Sequence, residues 1–164
     1  MRVSLIVAQS LNGIIGNDGA IPWSVPEDMR FFREVTMGST LIMGRRTWDS
    51  IARALPGRQI AVVSTTERPN KDIAGVGFFT SPSSALDAAT TDSVFVAGGP
   101  RLYRELLPQT SEVFVTLVKR LVEGDTAFDI FGLLAPAVWR LRETKILSPE
   151  AELFHFQRFN GGNP

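Results

Sequence analysis

The residue best placed to do chemistry in this sequence is Asp28. The segment from Ser24 to Val35 reads as a short amphipathic helix. Ser24 stands three residues before Glu27, a capping-box spacing, and Pro26 suits the first turn, so the helix is predicted to begin near Ser24 or Val25. At about 100° per residue, Phe31, Phe32 and Val35 share one stripe, and Arg30, Arg33 and Glu34 lie around the back. Asp28 falls inside the apolar stripe. An ionised carboxylate there loses hydration unless a donor or a ligand compensates. Two readings stand at this point. Asp28 either caps its own helix or stays wet at its entrance, where the dipole favours an anion, or it faces a ligand.

Three further places carry anion-binding chemistry. The strand Thr40–Gly44 runs into Arg45, Arg46 and Thr47, where a short helix is expected; paired arginines and free helical N–H groups make an anion site, although surface arginines are usually just solvated. The strand Gln59–Ser64 ends in Ser64-Thr65-Thr66, small hydroxyls at the edge where α/β sheets take ligands. The strand Ser93–Ala97 stops at Gly98-Gly99 before a helix over Pro100–Leu107, a geometry that lets backbone approach a phosphate. Two glycines alone are a weak signal. No GxGxxG fingerprint occurs, so a standard Rossmann dinucleotide site is not supported.

Composition narrows the classes. At 164 residues the chain is read as a single domain over 1–164. Seventeen basic and seventeen acidic residues leave no net field, so no nucleic acid and no anionic membrane is implied as partner. Without cysteine and with one histidine, disulfides, thiol catalysis and Cys- or His-rich metal sites drop out, and no metal is expected. The apolar run near the N-terminus is short for a signal peptide and nothing reaches membrane-spanning length, which points to a cytoplasmic protein. The charge balance makes a monomer the default.

Strands alternate with helices along the chain. Val3–Ala8 is a nearly continuous apolar run, as expected of a strand buried on both faces and central in a sheet. Asn12-Gly13 and Asn17-Asp18-Gly19 are strong turn signals leading to Ile21-Pro22-Trp23; this loop is a lid candidate, and packing against the sheet is the plainer reading of Trp23. Leu55–Arg58 is a turn, 67–77 a surface loop, Phe78-Phe79 a short strand and Ser81–Ala89 a helix. Glu112–Val118 is another strand, Asp125-Thr126 lies in a loop, and Trp139–Ile146 with Leu153–Phe159 reads as an antiparallel edge hairpin before a frayed tail. The fold class is α/β: a mainly parallel central sheet with an antiparallel edge hairpin and flanking helices.

From residue 2 to residue 159 the order and spacing of motifs resemble the dihydrofolate reductase family. The resemblance is carried by Gly13-Ile14-Ile15-Gly16, Ile21-Pro22-Trp23, Pro26-Glu27-Asp28, Met43-Gly44-Arg45, Thr47-Trp48-Asp49-Ser50-Ile51, Leu55-Pro56-Gly57-Arg58, Gly98-Gly99 with Tyr103, and Glu123-Gly124-Asp125-Thr126. It implies NADPH-dependent reduction of 7,8-dihydrofolate to tetrahydrofolate. Asp28 would bind the pterin amidine edge and promote protonation at N5 through an ordered water, backed by Thr116 and by Trp23. Phe32, Ile51 and Leu55 would sandwich the substrate, with Ile6 and Ala8 as floor, Ala97 beside the pterin, and Arg58 clamping the glutamate α-carboxylate. Arg45, Arg46, Thr65 and Arg101 would surround the 2′-phosphate of NADPH. Ala8, Ile15, Gly44, Thr47, Ser64, Gly98, Gly99, Leu102 and Tyr103 would complete the cofactor site.

Two positions depart from the family pattern. Ala97 is smaller than the Ile or Val often found there, and Pro100 replaces Gly or Ala, which a first helical turn accepts. Two alternatives remain: a pyrimidine or pterin reductase on the same fold, which would not need Trp23, Asp28 and Arg58 together, and a catalytically silent ligand-binding homologue.

Overall fold

The computed structural model describes residues 1–51, 53–66 and 72–159. In chain order the strands and helices are β1 (Arg2–Ser10), β2 (Ile14–Gly16), α1 (Pro26–Thr36), β3 (Thr40–Gly44), α2 (Arg45–Ile51), β4 (Gln59–Val63), β5 (Val76–Phe79), α3 (Pro82–Asp87), β6 (Ser93–Val96), α4 (Pro100–Leu106), β7 (Glu112–Val118), β8 (Thr126–Ala127), β9 (Trp139–Ser148) and β10 (Ala151–Arg158). Eight strands form one sheet in the order β5-β4-β3-β6-β1-β7-β10-β9. The six from β5 to β7 are parallel, and β10 and β9 add the antiparallel edge. The expected architecture is therefore observed, with β1 in the interior.

Period-two alternation in the strands divides the core in two. Leu5, Val7, Ile42, Ala61, Val94, Val96, Val113 and Val115 face one layer, with Leu86 of α3 and Leu102 and Leu106 of α4. Ile6, Leu41, Met43, Ile60, Val62 and Phe95 face the other, with Trp48 of α2 and Phe31, Phe32 and Val35 of α1. Both faces are covered, which is why these strands read as unbroken apolar runs.

Several local expectations change. The Ser24 capping box does not form: Val25 is the N-cap, in extended conformation and with no side-chain cap bond. Val25 precedes a proline, which disfavours helical backbone there, and its side chain is buried beside Val118 and Ala151. Arg45 and Arg46 are the first residues of α2, the short helix expected there. Thr126 belongs to β8, which pairs antiparallel with β2 in a separate small sheet. The predicted loop 67–77 gives way to β5 at Val76; its first five residues, like the tail, lie outside the described residues.

Candidate active site

Thr116 and Asp28 meet because of strand parity. Phe114 packs in the layer beneath α1, so Thr116, two residues on, faces the same way, and the parallel register sets it beside Ala8. Thr116 is 3% exposed and needs a partner; its hydroxyl donates to Asp28 Oδ1 at 2.6 Å. Burial raises the Asp28 carboxyl above the ordinary aspartate range, and the Thr116 bond, which favours the ionised form, only partly offsets it. The helix N-terminus favours an anion here, yet desolvation wins. The result is a carboxyl group poised to exchange a proton. Ile6, Phe32, Ile51, Leu55 and Ala97 all belong to or pack against the same apolar layer as Phe114. Trp23 packs instead with Val25, Val118 and Ala151, at the helix entrance.

An aromatic group that sequence reading missed supports this floor. Phe114 stacks on His155 at 4.2 Å and lies within about one ring of Phe31 and Phe95, at 6.1 and 6.0 Å between centroids. Its alternation within β7 was the available signal.

The groove continues to Arg58. Gly57 adopts φ +75°, and a side chain there would collide with Met37 Sδ. Gly38 N–H donates to Gly57 O at 2.8 Å and Arg58 Nη1 reaches Thr36 Oγ1 at 3.4 Å, so the turn is fastened to the end of α1. Burial, then the neighbouring Arg33 charge, lowers the Arg58 pKa. A cavity of about 660 Å³ opens between α1 and this turn, lined by Phe32, Leu55, Arg30, Arg33, Arg53 and Arg58 among others. Arg30 and Arg33 thus border the groove rather than merely covering the back of α1. A helical projection shows which residues turn from the core, not what stands beside them.

A second cluster lies where β6 ends. Pairing of β1 with β6 stops at Leu5 and Val96, and the next carbonyl of β1, that of Ile6, accepts from the Tyr103 hydroxyl at 2.9 Å. Burial pushes the Tyr103 pKa up, so this hydroxyl keeps its proton. The Gly98-Gly99 peptide is cis, and Gly44 N–H donates to Gly98 O at 2.8 Å. Gly98 has φ +124°, and a Cβ on it would lie 3.1 Å from Thr47 Oγ1. Gly99 is the N-cap of α4, Arg45 opens α2, and neither first turn contains an acid. Ser64 Oγ is bonded to Thr66, fixing the turn that presents exposed Thr65.

The predicted lid is a tight turn. Asn17 and Ala20 exchange backbone bonds of 2.8 and 3.0 Å, with Asp18 at φ +49° and Gly19 at φ +75°. Asp18 N–H donates to Asp125 Oδ2 at 3.0 Å. That bond, then one from the Thr126 hydroxyl, holds the Asp125 carboxyl below the usual range.

The dihydrofolate reductase family model matches residues 2–158. The chain belongs to the dihydrofolate reductase family. It is 41% identical over 129 residues to dihydrofolate reductase type 3 of Salmonella typhimurium, covering 78% of each chain. It is 43% identical over 122 residues to the dihydrofolate reductase of Mycobacterium tuberculosis, covering 71% of each. A solved dihydrofolate reductase from Enterococcus faecalis, complexed with NADP(H) and RAB-propyl, superimposes with a TM-score of 0.82 at 27% identity, covering 96% of both chains.

Most positions assigned by the family resemblance fall into the two clusters, with some at their margins. Asp28, Thr116, Ile6, Ala8, Phe32, Ile51, Leu55 and Ala97 gather on the α1 side, with Arg58 at the far end. Gly44, Thr47, Gly98, Gly99 and Tyr103 converge at the end of β6. Leu102 is buried in the opposite layer, its Cδ1 near Gly44, and Ile15 packs against that layer from β2. Arg101 is exposed and paired with Glu105 at 3.8 Å. The donors at the end of β6 are hydroxyl and backbone N–H groups, Arg45 and Arg46 open the neighbouring α2, and neither helical first turn contains an acid, a chemistry that fits the phosphates of NADPH.

Proposed function

We propose that the cluster around Asp28 does the protein's share of the family reaction. The chain is an NADPH-dependent dihydrofolate reductase, converting 7,8-dihydrofolate to tetrahydrofolate. NADPH, when bound, supplies the hydride that is added at pterin C6. What remains for the chain is to deliver a proton to N5, align the rings and exclude water. Asp28 binds the amidine edge of the pterin and promotes N5 protonation, its carboxylate oriented by the Thr116 hydroxyl, while Trp23 shields the water beside it. Phe32, Ile51, Leu55, Ile6, Ala8 and Ala97 hold the pterin and benzoyl rings. Arg58 clamps the glutamate α-carboxylate with a planar fork that lysine lacks. Arg45, Arg46, Thr65 and Arg101 hold the 2′-phosphate. The remaining cofactor contacts come from Ile15, Gly44, Thr47, Ser64, Gly98, Gly99, Leu102 and Tyr103.

The observation that carries this reading is the 2.6 Å bond from Thr116 to a partly buried carboxyl with a raised pKa on the apolar face of α1. We further propose that 1–164 works as a single domain and a monomer in the cytoplasm, without nucleic acid or membrane partners, in keeping with its balanced charge. Among the described residues no helix is long and apolar enough to cross a membrane. The test is loss of NADPH absorbance on adding substrate. Dihydrofolate is expected to accelerate it; acceleration by a ribosylaminopyrimidine instead, or by neither compound, would contradict the assignment.

A further inference from the structure

Two polar bonds and one sulfur contact fasten the Leu55–Arg58 turn to the end of α1. Gly38 N–H donates to Gly57 O at 2.8 Å, and Arg58 Nη1 donates to Thr36 Oγ1 at 3.4 Å. The sulfur belongs to Met37, the C-cap residue of α1, and it lies so close against Gly57 that a Cβ on that glycine would overlap it. The thioether thus fills the space where another residue's side chain would begin. The four methionines of the chain differ in access to solvent. Met43 is fully buried in β3, whereas Met1, Met29 and Met37 are 70%, 61% and 47% exposed. Met29 lines the cavity on the groove side of α1. Met37 combines access with packing on the backbone of the turn that carries Arg58. A thioether is soft and apolar, a good filler for an irregular gap, and peroxides convert it to a polar, chiral sulfoxide that fits such a gap poorly.

We propose that Met37 is an oxidation site that governs the turn behind Arg58: a peroxide converts it to the sulfoxide, the turn loses its packing on α1, and the hold of Arg58 on the substrate carboxylate weakens. This rests on the role given to Arg58 above. In the step, a sulfur lone pair forms the S–O bond as the peroxide O–O bond breaks. The sulfur is oxidised by two electrons and the peroxide is reduced; the departing hydroxide takes the proton of the transferred oxygen and leaves as water. The added oxygen has no room on the side facing Gly57, so the thioether turns outward or the turn lifts. Either movement ends the contact of sulfur with Gly57, and the adjoining bond from Gly38 N–H to Gly57 O loosens with it. Asp28 stands in the first turn of α1, at the far end from Met37, so proton delivery is untouched.

The experiment treats the protein with hydrogen peroxide in a Met29→Leu background, which removes the sulfur on the groove side, and reads conversion at each methionine by peptide mass spectrometry. Met37 is expected to oxidise about tenfold faster than Met43, or more. Once Met37 is converted, the Gly38 amide is expected to exchange with solvent about tenfold faster than before treatment. The KM for dihydrofolate is expected to rise about fivefold, the partial loss of a charge-assisted bond, with kcat unchanged. Reduction by a methionine sulfoxide reductase restores both. Adding Met37→Leu, which keeps an apolar contact without an oxidisable sulfur, is expected to abolish both responses to peroxide. Conversion of Met37 with Gly38 exchange unchanged, or the same responses with leucine at position 37, would overturn the proposal; faster exchange with an unchanged KM would overturn the link to Arg58. If the untreated protein does not reduce dihydrofolate, the reductase reading fails, and Gly38 exchange still decides whether oxidation releases the turn.

Discussion

Asp28 is raised in pKa by its own burial and restrained by one hydroxyl. The sign of its linkage follows. The folded state favours the protonated acid, so its contribution to stability is fully present below the unfolded carboxyl pKa and is lost as pH rises through the raised folded value. Thr116 acts against that trend, because its hydroxyl donates to the carboxylate at 2.6 Å. Thr116→Val is therefore expected to push the Asp28 pKa up further. The falling limb of hydride transfer against pH should then move to higher pH, with a stability loss of about 1–3 kcal/mol at neutral pH that diminishes in acid. Single-turnover rates across pH with denaturant midpoints read both; a limb that stays put or moves down would contradict the pairing. Asp28 was legible in the sequence as an acid on an apolar stripe. Its partner came from the family resemblance alone and not from any local pattern, because Thr116 lies 88 residues away on β7 and meets Asp28 only in the folded sheet.

At the scale of elements, the predicted lid turn is tied to a neighbouring loop by a bond beyond the two that close it. Asp18 N–H donates to Asp125 Oδ2, joining the β2 side of the molecule to the loop before β8. Asp125→Ala removes the acceptor. The Asp18 amide is then expected to lose protection from hydrogen exchange, and the KM for NADPH to rise severalfold as the lid opens more readily. Unchanged Asp18 exchange would show that the turn holds itself closed through Asn17 and Ala20. The long strands were readable because burial on both faces makes them unbroken apolar runs. The small sheet was not, since strands of three and two residues have no periodicity to detect. The cap of α1, not its start, was misread for a different reason: Val25 is only 2% exposed, and that tertiary contact overrides the local Ser24 and Glu27 signal.

Across the whole molecule, the site exists where the sheet stops being continuous. β6 leaves β1 after Val96, and the two layers of core remain joined across that gap by the hydroxyl of Tyr103 on the Ile6 carbonyl, with the Tyr103 ring stacked on Phe128 at 5.2 Å. Removing the hydroxyl leaves a buried carbonyl without its donor. Tyr103→Phe is expected to cost about 1–3 kcal/mol, read as a lower denaturant midpoint at an unchanged slope. A midpoint equal to wild type would mean that the carbonyl finds another partner. The family resemblance singled out Tyr103 for the cofactor site, but the bond itself carries no sequence signal. The tyrosine lies on a helix of the opposite layer, and the carbonyl belongs to a strand that looks uniformly paired.

The most direct test of the account is the pH dependence of single-turnover hydride transfer in Asp28→Asn. The amide keeps the shape and loses the titrating proton. Transfer at neutral pH is expected to fall by about a hundredfold or more, with dihydrofolate binding changed only modestly and partial recovery in acid, where substrate arrives already protonated. A variant with the wild-type rate and pH profile would contradict proton delivery by Asp28.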